Sequence, residues 1–155
     1  VPYGWQFKSE DVFMPAAKGA GSNCFALLTR ANDLLFETTR WRITGQLIVE
    51  QLERLSFSIK TTTVVVLDNA GVHASRQVRE RRPFWQQRGL FIFYLPPYSP
   101  HLNIAETLWR KLKYEWLQPA DYATADELFY RVRQALAAVG TSLKIRFSEF
   151  SLGLS

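Results

Sequence analysis

The most continuous apolar run in the chain, Thr61 to Leu67, is dominated by β-branched residues and lacks polar alternation, which predicts a central strand covered on both faces. A second run, Leu90 to Leu95, is stopped by Pro96-Pro97-Tyr98-Ser99-Pro100 and predicts another buried strand. Upstream, Ser22 to Thr29 and Leu34 to Thr39 flank the turn formers Arg30-Ala31-Asn32-Asp33 and predict an antiparallel hairpin. Helical spacing takes over elsewhere. Thr44 can cap a helix whose Leu47, Ile48, Gln51, Leu52 and Leu55 recur on one face, with Glu53 left to solvent and an end near Ser56 to Ser58. Ser75 opens an arginine-rich helix in which Pro83 predicts a kink or restart. Ile104, Leu108, Leu112 and Trp116 share the face of a helix that starts near Asn103 and is ended by Pro119. A last helix, from about Thr124 to Val139, turns Leu128, Phe129, Val132, Leu136 and Val139 inward, and Gly140 stops it. Val1 to Gly21 reads as irregular, and the tail from Thr141 is ambiguous between a short strand and an extension.

The order hairpin, helix, strand, helix, strand, helix, helix predicts one mixed α/β domain with a partly parallel sheet. With 155 residues, 47% hydrophobic and 14% aromatic, the chain can bury a core and is not a disordered segment. Its net charge of +5 favours a polyanionic partner. Cys24 is the single cysteine, so no intramolecular disulfide forms, and it reads as a small buried strand residue. No apolar run approaches the about 20 residues that span a bilayer, and Val1 to Glu10 lacks a signal-peptide pattern, which fits a reduced, cytoplasmic setting and excludes a membrane partner.

If the two apolar runs are neighbouring parallel strands, Asp68 stands at the carboxyl end of one and Glu106 arrives near it from the turn after the other. Magnesium takes carboxylate oxygens and keeps waters, so two carboxylates and a substrate phosphate suit it. Each acid also has a plain structural reading. Asp68-Asn69 can cap a strand-to-helix turn, and Asn103 to Glu106 has the spacing of a capping box. His73 reads first as a structural hydrogen-bonder and second as a metal or phosphate contact, whereas His101 reads as a loop residue. The arginines from Arg76 to Arg88 suit either a phosphate backbone or a solvated helix face.

VVVLDNAGVH followed by FYLPPYSPHLNIAETLWRKLK resembles the second and third acidic motifs of the DDE transposases of the mariner-like group and the related bacterial insertion-sequence enzymes. The matching positions are Asp68, Asn69, His73, Leu95 to Pro100, Leu102, Asn103 and Glu106, and Tyr3-Gly4-Trp5 with the hairpin extends the likeness over nearly the whole chain. The resemblance implies a ribonuclease-H-like fold, with DNA cleavage and strand transfer at transposon ends. It also implies Mg²⁺ or Mn²⁺ held by Asp68 and Glu106 as catalytic residues, with Asn69, His73 and Asn103 in support. DNA, as transposon ends and target, is the implied partner, contacted by Arg76, Arg79, Arg82, Arg110, Lys111 and Lys113. A second copy of the chain is a further candidate partner, and in a bacterium the protein would be nucleoid-associated.

One departure from the family pattern is serious. The family's first catalytic Asp lies on a strand just ahead of the Gly-Trp segment, and here Gly4-Trp5 follows three residues after the start. Glu10-Asp11 matches nothing in the motif. The expectation is therefore an N-terminally truncated catalytic core without its first strand or a helix-turn-helix, inactive as it stands. The alternatives are a non-enzymatic DNA-binding remnant and an α/β interaction module. A missing central strand leaves unpaired backbone groups, so the sheet should be filled by the N-terminal segment, close up, or be unstable.

Overall fold

The computed structural model of the protein describes residues 4–7, as backbone, and residues 22–147. Its strands are β1 (Gly4–Phe7), β2 (Asn23–Leu28), β3 (Leu34–Thr39), β4 (Thr63–Leu67) and β5 (Leu90–Tyr94). They form one sheet in the order β3-β2-β1-β4-β5. β1 runs antiparallel to β2 and parallel to β4, with Gly4 opposite Val64 and Phe7 opposite Leu67, and β4 pairs in parallel with β5. The helices are α1 (Gly45–Ser58), α2 (Arg76–Gln87), α3 (Ala105–Lys111) and α4 (Ala125–Ala138).

The expected gap in the sheet is filled. Gly4–Phe7, in a stretch that its prolines and glycines mark as irregular, takes the central position. Of the outcomes expected for the sheet, filling by the N-terminal segment is the one observed, and the hairpin does not close directly onto β4. The physical reason is the ladder: β2 and β4 each present a row of backbone donors and acceptors that a strand between them satisfies. Glu10-Asp11 and the tail from residue 148 lie outside the described residues.

One face of the sheet carries Phe25, Leu27, Val65, Leu67, Leu90 and Ile92, covered by Ile48, Leu52 and Leu55 of α1 and by Val78 and Trp85 of α2. The side chain of Thr44 caps α1 by accepting from the Leu47 N–H at 3.2 Å. Glu53 is not left to solvent. Its carboxylate accepts from Arg81 and Arg88, each at 2.7 Å, and from the indole N–H of Trp85 at 2.8 Å, which fastens α1 to α2. The Arg81 hydrogen bond leads in holding this carboxyl at about 2, against the opposing effect of burial. α2 also runs unbroken through Pro83, without the expected restart. Pro83 and Arg79 are both exposed, so water can satisfy the carbonyl that the proline cannot bond.

The other face carries Cys24, Ala26 and Leu28 of β2, covered by Leu108, Trp109 and Leu112 and by Leu128, Val132 and Leu136 of α4. Burial pushes the Cys24 thiol up to about 12. α3 passes at Leu112 into a π-helical turn that ends at Trp116. Cover on this side stops short of β5, whose Phe91 and Phe93 are 40% and 56% exposed, so β5 is an edge strand buried on one face only. Among the described residues no helix is long and apolar enough to cross a membrane.

The segment after α4 is fixed by the hairpin turn. Gly140 has φ +90°, and Asn32 at the turn has φ +66°. The Asn32 amide donates to the Ile145 carbonyl at 2.9 Å and accepts from the Ile145 N–H at 2.6 Å. Lys144 to Phe147 is therefore an extension docked on the turn and not a strand of the sheet.

Candidate active site

β4 delivers Asp68 to the carboxyl edge of the sheet immediately after Leu67. Its carboxylate is oriented locally: Oδ1 accepts from the Ala70 N–H at 3.0 Å and lies 2.7 Å from Nδ1 of His73. The same ring nitrogen lies 3.2 Å from the Asp68 carbonyl oxygen. Both oxygens only accept, so Nδ1 carries the proton. His73 sits in a 3₁₀ turn, Gly71–Ala74, and is fully buried, which fixes the ring. The Tyr94 hydroxyl donates to the His73 carbonyl at 2.7 Å and ties this turn to β5. Desolvation raises the pKa of that hydroxyl, against the nearby charges of Arg82 and Arg79.

Asn69 joins the two parallel strands just beyond their ends. Its side-chain amide donates to the Leu95 carbonyl at 2.6 Å, and the Leu95 N–H continues the ladder to the Leu67 carbonyl at 2.8 Å. The chain then turns at Pro97-Tyr98, where Tyr98 has φ +57° and is fully exposed. A 3₁₀ turn, Pro100–Leu102, leads to buried Asn103. The Asn103 side-chain oxygen accepts from the Ala105 N–H at 3.0 Å, and its carbonyl accepts from the Glu106 N–H at 3.1 Å. Asn103 thereby leads into α3, whose N-cap position is Ile104 and not the expected Asn103, and Glu106 lies in the first turn, where the helix dipole favours a negative charge.

Asp68 and Glu106 line adjoining cavities. The Asp68 cavity, about 280 Å³, is also lined by Asn69, Leu95, Tyr98 and Asn103. The Glu106 cavity, about 690 Å³, is lined by Asn103 as well, together with Arg30, His101, Arg110 and Arg146. Asn103 is the wall the two share. The residues matched by a DDE superfamily endonuclease family model are 1–129, which take in every element from β1 to the first turns of α4. The chain belongs to the DDE superfamily endonucleases.

This DDE domain is of the transposase type, a nuclease class that acts on DNA and generally uses a divalent metal ion. No curated protein matches the chain. The donors offered by Asp68, Glu106 and Asn103 are hard oxygens, which fit magnesium or manganese better than soft metals. Among the described residues no group of three or more His, Cys, Asp or Glu side chains is arranged to hold a metal.

The remaining candidates divide. Arg76 is ion-paired with Glu80 on its own helix, and Lys111 with Glu115, both at the surface. Arg82 lies over the Tyr94 ring, 5.6 Å from its centroid, and Arg79 is exposed on α2. Arg110 lines the Glu106 cavity. His101, expected to be only a loop residue, lines it too, as do Arg30 and Arg146, which carry no motif signal of their own. Charge alone marks them in the sequence, and their convergence is tertiary.

Proposed function

We propose that this domain is the catalytic core of a metal-dependent DNA endonuclease and strand transferase acting at transposon ends. The observation that supports the reading most is the carboxylate of Asp68, set at the carboxyl edge of the sheet by a buried histidine, beside a cavity that receives Glu106 from α3. A simple turn cap needs no such histidine.

In this reading Asp68 and Glu106 hold a Mg²⁺ or Mn²⁺ ion, with His73, Asn69 and Asn103 fixing the backbone and side chains around them. The ion, when bound, would supply Lewis-acid stabilisation of charge on a phosphoryl oxygen. The chain's own part is geometric and electrostatic. His73 donates an Nδ1–H hydrogen bond to Oδ1 of Asp68 and so fixes the orientation of the carboxylate. Among the described residues the site offers two carboxylates, which can hold one ion but do not by themselves make a two-metal clamp.

The DNA-binding-remnant alternative depends on the arginines of α2. Arg81 and Arg88 are engaged with Glu53 and Arg76 with Glu80, so much of that helix's charge is used within the protein.

The test is Mn²⁺ binding followed by water-proton relaxation, with and without duplex DNA. The reading predicts that DNA tightens Mn²⁺ binding, because a phosphate oxygen joins the coordination sphere, and that Asp68→Asn removes the effect. Mn²⁺ binding indifferent to both DNA and Asp68 would refute it.

A further inference from the structure

The Glu106 cavity is built from three parts of the chain that no motif connects: the β2–β3 turn with Arg30, the start of α3 with Glu106 and Arg110, and the C-terminal extension with Arg146 and Phe147. Residues 130–147 lie beyond the family match. The placement of the extension is specific. Asn32 pins Ile145 through both amide atoms and so sets Arg146 and Phe147 beside Arg30. The Arg30 guanidinium lies over the Phe147 ring, 5.6 Å from its centroid, which restricts its motion. Gly140 allows the chain to reach the turn, since a Cβ there would come within 2.7 Å of the Asn32 carbonyl oxygen.

Among the described residues that line this cavity are three arginines and one carboxylate, so these residues give it a net positive charge although they include a candidate catalytic acid. At about 690 Å³ it is also far larger than a hydrated ion needs, given about 30 Å³ for a water molecule. Arginine is suited to phosphate through its planar fork of donors. We infer that Arg30 and Arg146, brought together by the Asn32–Ile145 clip, bind the phosphodiester backbone of a DNA strand and position it against Glu106. They are positioning residues. The inference rests on the DNA-processing reading above and adds to it the segment that holds the strand.

The measurement is the salt dependence of binding to a fluorescein-labelled, mixed-sequence DNA duplex, followed by anisotropy. Each phosphate contact contributes about 0.9 to the slope of log K against log salt concentration. Arg30→Gln and Arg146→Gln should each lower the slope by about 0.9, whereas Arg54→Gln, exposed on α1 outside the cavity, should leave it unchanged. Asn32→Gly accepts the positive φ but removes the clip, so it should reproduce the Arg146→Gln loss, and combining the two should lower the slope no further. Duplex binding with a wild-type slope in both Arg30→Gln and Arg146→Gln would overturn the inference alone. Failure of the unaltered chain to bind duplex at low salt would overturn it together with the DNA-processing reading.

Discussion

Asp68 and His73 are joined twice, with one ring nitrogen 2.7 Å from the carboxylate and 3.2 Å from the carbonyl oxygen of the same residue. The ring is fully buried, and its own backbone is held by Tyr94 on the next strand. In the proposed function this arrangement makes His73 the group that orients Asp68 toward a metal ion. Replacing His73 with alanine should weaken Mn²⁺ affinity by about ten- to a hundredfold. Titration calorimetry checks this, and Arg146-dependent DNA binding measured on the same variant should keep its salt slope, which a general loss of structure would not allow.

The Glu53 clasp gives a pH dependence with a definite sign. Its carboxyl is held near 2, below the ordinary 4.5, chiefly by Arg81, so the clasp contributes fully above about pH 4.5 and is lost as pH falls toward 2. The carboxylate is partly open to solvent, and after allowance for screening the contribution is on the order of 1–2 kcal/mol. Urea unfolding of the parent and Glu53→Gln proteins should show a stability gap of that size at pH 7 that narrows between about pH 5 and 2.

Two glycines with the same backbone angle should respond differently to alanine. Gly89 and Gly140 both have φ +90°, but a Cβ at Gly89 meets nothing nearer than 3.7 Å, whereas at Gly140 it meets the Asn32 carbonyl oxygen at 2.7 Å. Gly89→Ala should cost about 1 kcal/mol from the backbone conformation alone. Gly140→Ala should cost roughly 2–3 kcal/mol and loosen the docked extension. Thermal unfolding of the two variants makes the comparison.

Pro83 interrupts no helix but leaves one backbone bond unmade. Pro83→Ala restores a donor toward Arg79 on an exposed face, so it should stabilise the protein by about 1–3 kcal/mol, visible as a higher denaturant midpoint at unchanged slope.

The parts of the fold that could be read from sequence are those set by local pattern. The β-branched run to Leu67, the Thr44 cap, the last helix and the hairpin all form where the spacing puts them. The places of Asp68 after β4 and Glu106 in the first turn of α3 follow from the strand and helix patterns beside them. What could not be read depends on distant partners. Gly4–Phe7 becomes a strand because two other strands leave a place for it. Glu53 turns inward because Arg81 and Arg88 on α2 meet it, Pro83 is tolerated because its face is wet, and Phe91 and Phe93 are exposed because cover ends before the sheet does. Arg30 and Arg146 are ordinary surface arginines until the Asn32 amide brings them to one cavity.

In the proposed function Asp68 and Glu106 serve one divalent ion. Iron(II) bound in place of magnesium, treated with ascorbate and peroxide, cuts the backbone close to the ion, and the fragments can be located by mass spectrometry. Cuts are expected near both Asp68 and Glu106, suppressed by excess Mg²⁺ and absent from Asp68→Asn. Cuts beside one acid only, or none that Mg²⁺ suppresses, would show that the two acids do not share an ion.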